Sequence, residues 1–256
     1  MKVARFLGQD GEILEGVVEG DQIQEISGLD EMLRGGRRVG ALRPLGEVTL
    51  LPWGTGRKIV LVGRNYGAHA KELGHEVPKE PLIFLKPASA LVGHGAAIEL
   101  PPESQRVDHE AELCVVIGKK LRRASEQECA RAVAGVTCLN DVTARDIQKS
   151  EVQFTRAKGF DTFCPVGPWV AAGLDPSDRR VACRVNGEVR QDGRTSDLMF
   201  PVPRLLAFIS SCMTLEPGDL VSTGTPAGVG PLRDGDVVEV EVEGVGVLRN
   251  PVRGAR

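Results

Sequence analysis

This 256-residue chain has no Cys-x-x-Cys pair, so the usual zinc-ribbon spacing is excluded. Its six cysteines, at positions 114, 129, 138, 164, 183 and 212, mostly lie in apolar segments and read as free buried thiols. Cys164 is a weak candidate nucleophile, because no histidine follows it to act as its base. Aromatic residues make up only 4% and the formal net charge is −3. The chain therefore lacks both the stacking platforms and the basic field of a nucleic-acid binder. The basic runs at 34–43 and 119–123 are short and separated, and read as solvated surface. No apolar run approaches the ~18 residues of a membrane span, and the first residues show no signal-peptide core. The expectation is a cytoplasmic protein with no nucleic-acid and no membrane partner.

Against these absences stand three carboxylates in apolar surroundings, Glu110, Glu112 and Asp141. The segment 107–118, VDHEAELCVVIG, reads as one β-strand ending in glycine. Alternation puts Glu110 and Glu112 on one face, continued by Cys114 and Val116, with Ala111, Leu113, Val115 and Ile117 on the other. Two carboxylates about 5 Å apart repel by about 3 kcal/mol at an effective dielectric near 20. Such a pair needs a shared proton or a cation. Asp141, after the apolar segment 133–141, offers a third oxygen, and a set of three suits a hard divalent ion, Mg²⁺ or Mn²⁺. The alternative is a solvated strand face, as in 237–247, where Glu239, Glu241 and Glu243 alternate with valines.

Residues 1–55 read as a small β module of short strands, with turns at Gln9-Asp10-Gly11 and Gly20-Asp21. Fifty residues bury little core alone, so this module should pack on the remainder, 56–256. Strands are expected at 58–63 and 82–86, and a hairpin around Asn186-Gly187. Helices are few: one near 126–134 behind a Ser125–Glu128 capping box, and one over 203–213 with an apolar stripe. Strands do not alternate with helices, so a mainly β, α+β fold with antiparallel or mixed sheets is expected.

Other chemistry is scattered. His69 and Glu72 would share a helical face, where a carboxylate makes imidazole a competent base. Lys158 could hold an anionic substrate, and Arg145 could pair with Asp141 or clamp a carboxylate. The loop 222–231, STGTPAGVGP, lacks a P-loop ending, but its N–H groups and the Thr225 hydroxyl could cradle a carboxylate.

Together the strings GRNYGAHAKE, PLIFLKPASALVG, VDHEAELCVVIGK, LNDVTARDIQ, AKGFDTFCPVGPWV, VNGEVRQDG and LEPGDLVSTGTPAGVG resemble the fumarylacetoacetate hydrolase superfamily in order and type, over about residues 58–231. The resemblance implies a mixed β-sandwich roll, a homodimer and a divalent metal held by Glu110, Glu112 and Asp141. It also implies that His69 and Glu72 form a water-activating dyad and that Lys158, Arg145, Gln148 and Thr225 contact the substrate. The N-terminal module resembles that of longer bacterial members. The implied chemistry is enolate formation from a small 2-oxo or 2,4-dioxo acid, leading to C–C hydrolysis of an acylpyruvate or to decarboxylation. Isomerisation of 2-hydroxyhepta-2,4-diene-1,7-dioate, or decarboxylation of its carboxylated precursor, is the alternative within the superfamily. A non-catalytic metal- or carboxylate-binding module is the alternative outside it.

Overall fold

The computed structural model describes residues 1–29, 37–54, 57–67 and 78–254. The N-terminal meander follows the sequence pattern: β1 (Lys2–Leu7), β2 (Ile13–Glu19) and β3 (Gln22–Ile26) pair antiparallel in chain order. Gly11 and Gly20 sit at the turns with φ of +80° and +61°, a conformation cheap only for glycine. An exposed edge strand, β4 (Arg38–Pro44), pairs with β3, and β5 (Thr49–Leu51) folds back on β1.

The apolar runs at 59–63 and 82–86 become the antiparallel pair β6 (Ile59–Gly63) and β7 (Leu82–Lys86). Two short strands follow, β8 (Leu91–Val92) and β9 (Ile98–Glu99). The single strand expected over 107–118 divides at Glu110 into β10 (Val107–His109) and β11 (Ala111–Ile117). The Glu110 N–H leaves the ladder to donate to Asn140 Oδ1 at 2.9 Å, and the chain passes from one sheet to another.

Helix α1 (Glu126–Ala130) has the expected capping box but stops at Ala130 rather than near 134. Val133 already belongs to β12 (Val133–Asn140), where β-branched residues and pairing with β11 favour extended backbone. Then come β13 (Thr143–Ala144), α2 (Arg145–Ser150), α3 (Thr155–Lys158) and β14 (Cys164–Ala172). The expected hairpin is β15 (Arg180–Val185) and β16 (Glu188–Arg194), turned by Asn186 and Gly187 with φ of +54° and +82°. The apolar stripe of 203–213 forms α4 (Val202–Cys212), which buries Leu205, Leu206 and Ile209. The chain ends with β17 (Leu220–Ser222), β18 (Gly230–Pro231), β19 (Val237–Val242) and β20 (Gly246–Arg253).

Among the described residues these strands form three sheets. The largest runs β4-β3-β2-β1-β14-β12-β11-β17-β6-β7, with β5 and β8 attached to β1 and β14. Pairing of β1 with β14 carries it through the N-terminal module without a break. The second, β16-β15-β19-β20-β9, packs on one face of the first. Leu113, Val115 and Ile117 of β11 meet Val181, Cys183, Val238, Val240 and Leu248 in that core. On the opposite face Cys114 and Val116 join Ile59, Leu61, Leu139, Val166 and Trp53. Strand β11 is thus buried on both faces, and its first residues emerge where the small third sheet, β13-β10-β18, begins. Parallel pairs such as β17–β6 make the architecture mixed, in the mainly β arrangement expected. No helix among the described residues is long and apolar enough to cross a membrane.

Candidate active site

Glu110, Glu112 and Asp141 come together. The register that sets Ala111 opposite Asn140, plus the Asp141 N–H bond to Glu110 O at 2.8 Å, draws the ends of β11 and β12 to one point. One carboxylate oxygen from each lies within 4.8 Å of the others. All three residues are at most 5% exposed.

Cations from distant segments close on this cluster. Lys158, at the end of α3, donates to Glu110 Oε2 at 2.9 Å, to Asp141 Oδ2 and to Thr143 Oγ1 at 2.8 Å. Burial opposes its charge, but Asp141 and Glu110 outweigh it and hold its pKa above the ordinary lysine value. Lys86 ends β7 fully buried, 2.8 Å from Asp141 Oδ1, and donates to Val142 O and Phe163 O. Arg145 does not pair with Asp141. It opens α2 with its backbone N–H on Arg106 O, so its guanidinium meets β10, donating to Asp108 Oδ2 at 2.9 Å and to Glu110 Oε1. Its remaining arm donates to Gln148 Oε1 at 2.8 Å.

Glu112 has no such cation. Its Oε2 accepts from Ser222 Oγ and from the Gly224 N–H at 2.9 Å, so the glycine-rich loop cradles a carboxylate of the protein itself. Gly224 has φ of +96°, and a Cβ there would stand 2.9 Å from Asn65 Cβ, so only glycine fits. Burial first, then the charges of Asp141 and Glu110, push the Glu112 carboxyl well above the usual range. The Thr225 hydroxyl is committed to structure: it donates to Ala111 O at 2.8 Å and accepts from Gln191 Nε2 at 2.7 Å.

These groups line a cavity of about 330 Å³. Glu110, Glu112, Asp141, Arg145, Gln148, Lys158 and Thr225 all contribute to its wall, with Phe84 and Phe154 as an apolar side. Seven of the nine residues expected from the sequence are therefore brought together, and the other two, His69 and Glu72, lie outside the described residues. Cys164 is buried with its thiol pushed up to about 12 by burial, which makes it an inert core thiol.

Sequence reasoning missed four supports. Lys86 carried a usable signal, a lysine closing an apolar strand where a charge survives only if paired. Asp108 sits two residues before Glu110 and orients Arg145. Ser222 and Gln191 gave no local signal. The Gln191 amide accepts the Ala111 N–H at 3.0 Å and donates to Thr225 Oγ1 and Pro226 O, joining the strand between the two glutamates to the loop.

The donor set fits a hard divalent cation. Three buried carboxylates converge without a thiolate or imidazole among them, which is the all-oxygen donor set such an ion takes.

A mainly β fold carrying a buried carboxylate triad at the mouth of its sandwich defines an enzyme class, and sequence comparison agrees. The Fumarylacetoacetate (FAA) hydrolase C-terminal family matches residues 58–253, and the Rv2993c-like, N-terminal family matches residues 1–52. The chain belongs to the fumarylacetoacetate hydrolase family. It is 46% identical over 200 residues to the mitochondrial oxaloacetate decarboxylase of Dictyostelium discoideum, covering 75% of this chain and 92% of that protein. It is 45% identical over 222 residues to the human mitochondrial oxaloacetate tautomerase FAHD2A, covering 82% of this chain and 71% of that one. The crystal structure of 2-hydroxyhepta-2,4-diene-1,7-dioate isomerase from Mycobacterium marinum superposes with a TM-score of 0.90 at 41% identity, over 99% of this chain and 98% of that one.

Proposed function

We propose that the protein is a divalent-metal-dependent enzyme, using Mg²⁺ or Mn²⁺, that forms the enol or enolate of a small 2-oxo acid of the oxaloacetate type. Tautomerisation and decarboxylation are both outcomes of that step. The observation that carries the reading is the buried convergence of Glu110, Glu112 and Asp141 on a cavity lined by Lys158 and Arg145. The relatives whose names specify oxaloacetate chemistry support the substrate class.

Glu110, Glu112 and Asp141 would hold the divalent ion, which when bound would supply positive charge to offset negative charge developing on the 2-oxo group. The chain's own residues do the rest. Lys158 and Lys86 offset the charge of Asp141 and Glu110 and keep these side chains in place. The ion pairs to Asp108 and Glu110 fix Arg145 and, through it, Gln148, whose amide lines the cavity as a donor for a substrate oxygen. Phe84 and Phe154, edge to face at 5.6 Å, exclude water from one side. Proton transfer at the substrate carbon is assigned to His69 with Glu72. In decarboxylation the C3–C4 bond breaks, its electron pair forms the enolate, CO₂ leaves, and a proton returns to C3. In tautomerisation only the proton moves.

Isomerisation of a longer dienedioate is the second reading, favoured by a structural neighbour of that name that matches the N-terminal module as well as the catalytic part. A homodimer is carried with either reading.

Purified protein is tested with oxaloacetate by following enol absorbance and pyruvate release, in Mg²⁺ and again with EDTA, with acetylpyruvate in parallel. Metal-dependent loss of enol, with or without pyruvate, is expected. Cleavage of acetylpyruvate with no effect on oxaloacetate would replace this reading by C–C hydrolysis. Inertness toward both, with metal bound, would favour the isomerase.

A further inference from the structure

The short link between α3 and β14 contains a backbone outlier. The Phe163 N–H donates to Phe160 O at 3.2 Å, closing a turn with Asp161 and Thr162 at its centre. Thr162 has φ of +68°, and of the four non-glycine described residues at positive φ it is the only β-branched one. Glycine or asparagine ordinarily takes such a place, and a β-branched side chain there is strained. The threonine brings a contact for which glycine has no atom. Its Oγ1 accepts the Glu99 N–H at 2.8 Å and ties the turn to β9.

Both lysines that pair with Asp141 are set by this turn. Lys158 stands just before it, behind Gly159, where a Cβ would come within 2.3 Å of Thr155 O. Phe163, the last residue of the turn, is buried, and its carbonyl accepts from Lys86 Nζ at 2.7 Å. The same ammonium lies 2.8 Å from Asp141 Oδ1. We propose that Thr162 is a positioning residue: the strained turn, fastened to β9 by its hydroxyl, holds Lys158 and Lys86 on the two oxygens of Asp141. This rests on the acid cluster being the reaction centre, as read above, and gives Thr162 no contact with substrate. Strain of this kind persists where the surroundings over-determine it. Glycine would relieve the backbone but leave the Glu99 N–H without its partner, and both lysines would lose their fixed support.

Brief acetic anhydride labelling of the folded full-length chain, read by peptide mass spectrometry, tests this without substrate. In the wild type, Lys86 and Lys158 should react far more slowly than the exposed Lys120. In Thr162→Gly both should react roughly fivefold faster or more, as a local opening does. The thiol of Cys138, buried in the core between the sheets, reports global opening in a parallel thiol-alkylation assay and should keep its wild-type rate. Thr162→Ser keeps the hydroxyl and should stay within about twofold of the wild type. Unchanged protection of the lysines in folded Thr162→Gly would overturn the proposal. So would equal exposure of Cys138, because the turn would then only stabilise the fold. With oxaloacetate, Thr162→Gly should lower kcat by about tenfold or more in the wild-type background, and by less than about threefold beside Lys158→Met. The same loss in both backgrounds would contradict action through the lysine. A wild type inert toward oxaloacetate whose lysines still respond to Thr162→Gly would remove the 2-oxo acid reading and leave the positioning role standing.

Discussion

Strand β19 and the segment Glu110–Ile117, which is β11 and the residue before it, carry the same Glu-x-Glu spacing, and the fold treats them oppositely. Along β19, Val238, Val240 and Val242 enter the core while Glu239 and Glu241, with Glu243 just beyond, face outward. Each of these acids meets an arginine at the surface: Arg249 at 3.6 Å, Arg184 at 2.7 Å and Arg194 at 3.3 Å. Exposed pairs of this kind contribute about 0–1 kcal/mol each. Glu112 on β11 and Glu110 just before it are buried instead, at a place where both faces of the strand are covered. Their partners come from residues 145, 158 and 222–224, so burial is tolerated because distant segments converge there. Alternation places a side chain on a face. What that face meets is decided by topology.

The largest effect that would break this contrast lies at Lys158. Replacement by Met removes the cation shared by Glu110 and Asp141 and should lower kcat by roughly 10²–10³-fold while metal is still bound. Turnover near the wild-type rate would put Lys158 outside the machinery. An intermediate effect belongs to Gln191, which never touches the triad but holds the Ala111 N–H between its glutamates. Gln191→Leu should weaken metal binding by roughly 10–100-fold, as removal of a ligand-orienting partner does. Unchanged affinity in a folded variant would show that the β15–β16 hairpin does not position the strand. On β19, Glu241→Gln should shift urea stability by less than about 1 kcal/mol and leave turnover untouched. A larger loss would mean that the surface acids are not merely solvated.

Much of the fold was legible before the structure. The N-terminal turns, the Asn186-Gly187 hairpin, the capping box at Ser125 and the stripe on α4 all depend on neighbours a few residues away, and they formed as the local pattern required. The misses have a common cause. The break at Glu110 depends on Asn140, thirty residues on, and α1 stops short because β12 pairs with β11. The carboxylate triad was readable because its acids interrupt apolar segments. Its supports were not: Arg145 takes Asp108 rather than Asp141, and Ser222 and Gln191 reach Glu112 and Ala111 across 110 and 80 residues. Such contacts follow from strand order, which no local spacing encodes.

The central claim is that Glu110, Glu112 and Asp141 are a metal site and the β19 acids are not. Titration of Mn²⁺, read by its electron paramagnetic resonance signal, tests it directly on the wild type, Glu112→Ala and Glu241→Ala. The account predicts one Mn²⁺ bound per chain in the wild type and in Glu241→Ala, and none in folded Glu112→Ala. The same stoichiometry and affinity in all three would contradict it.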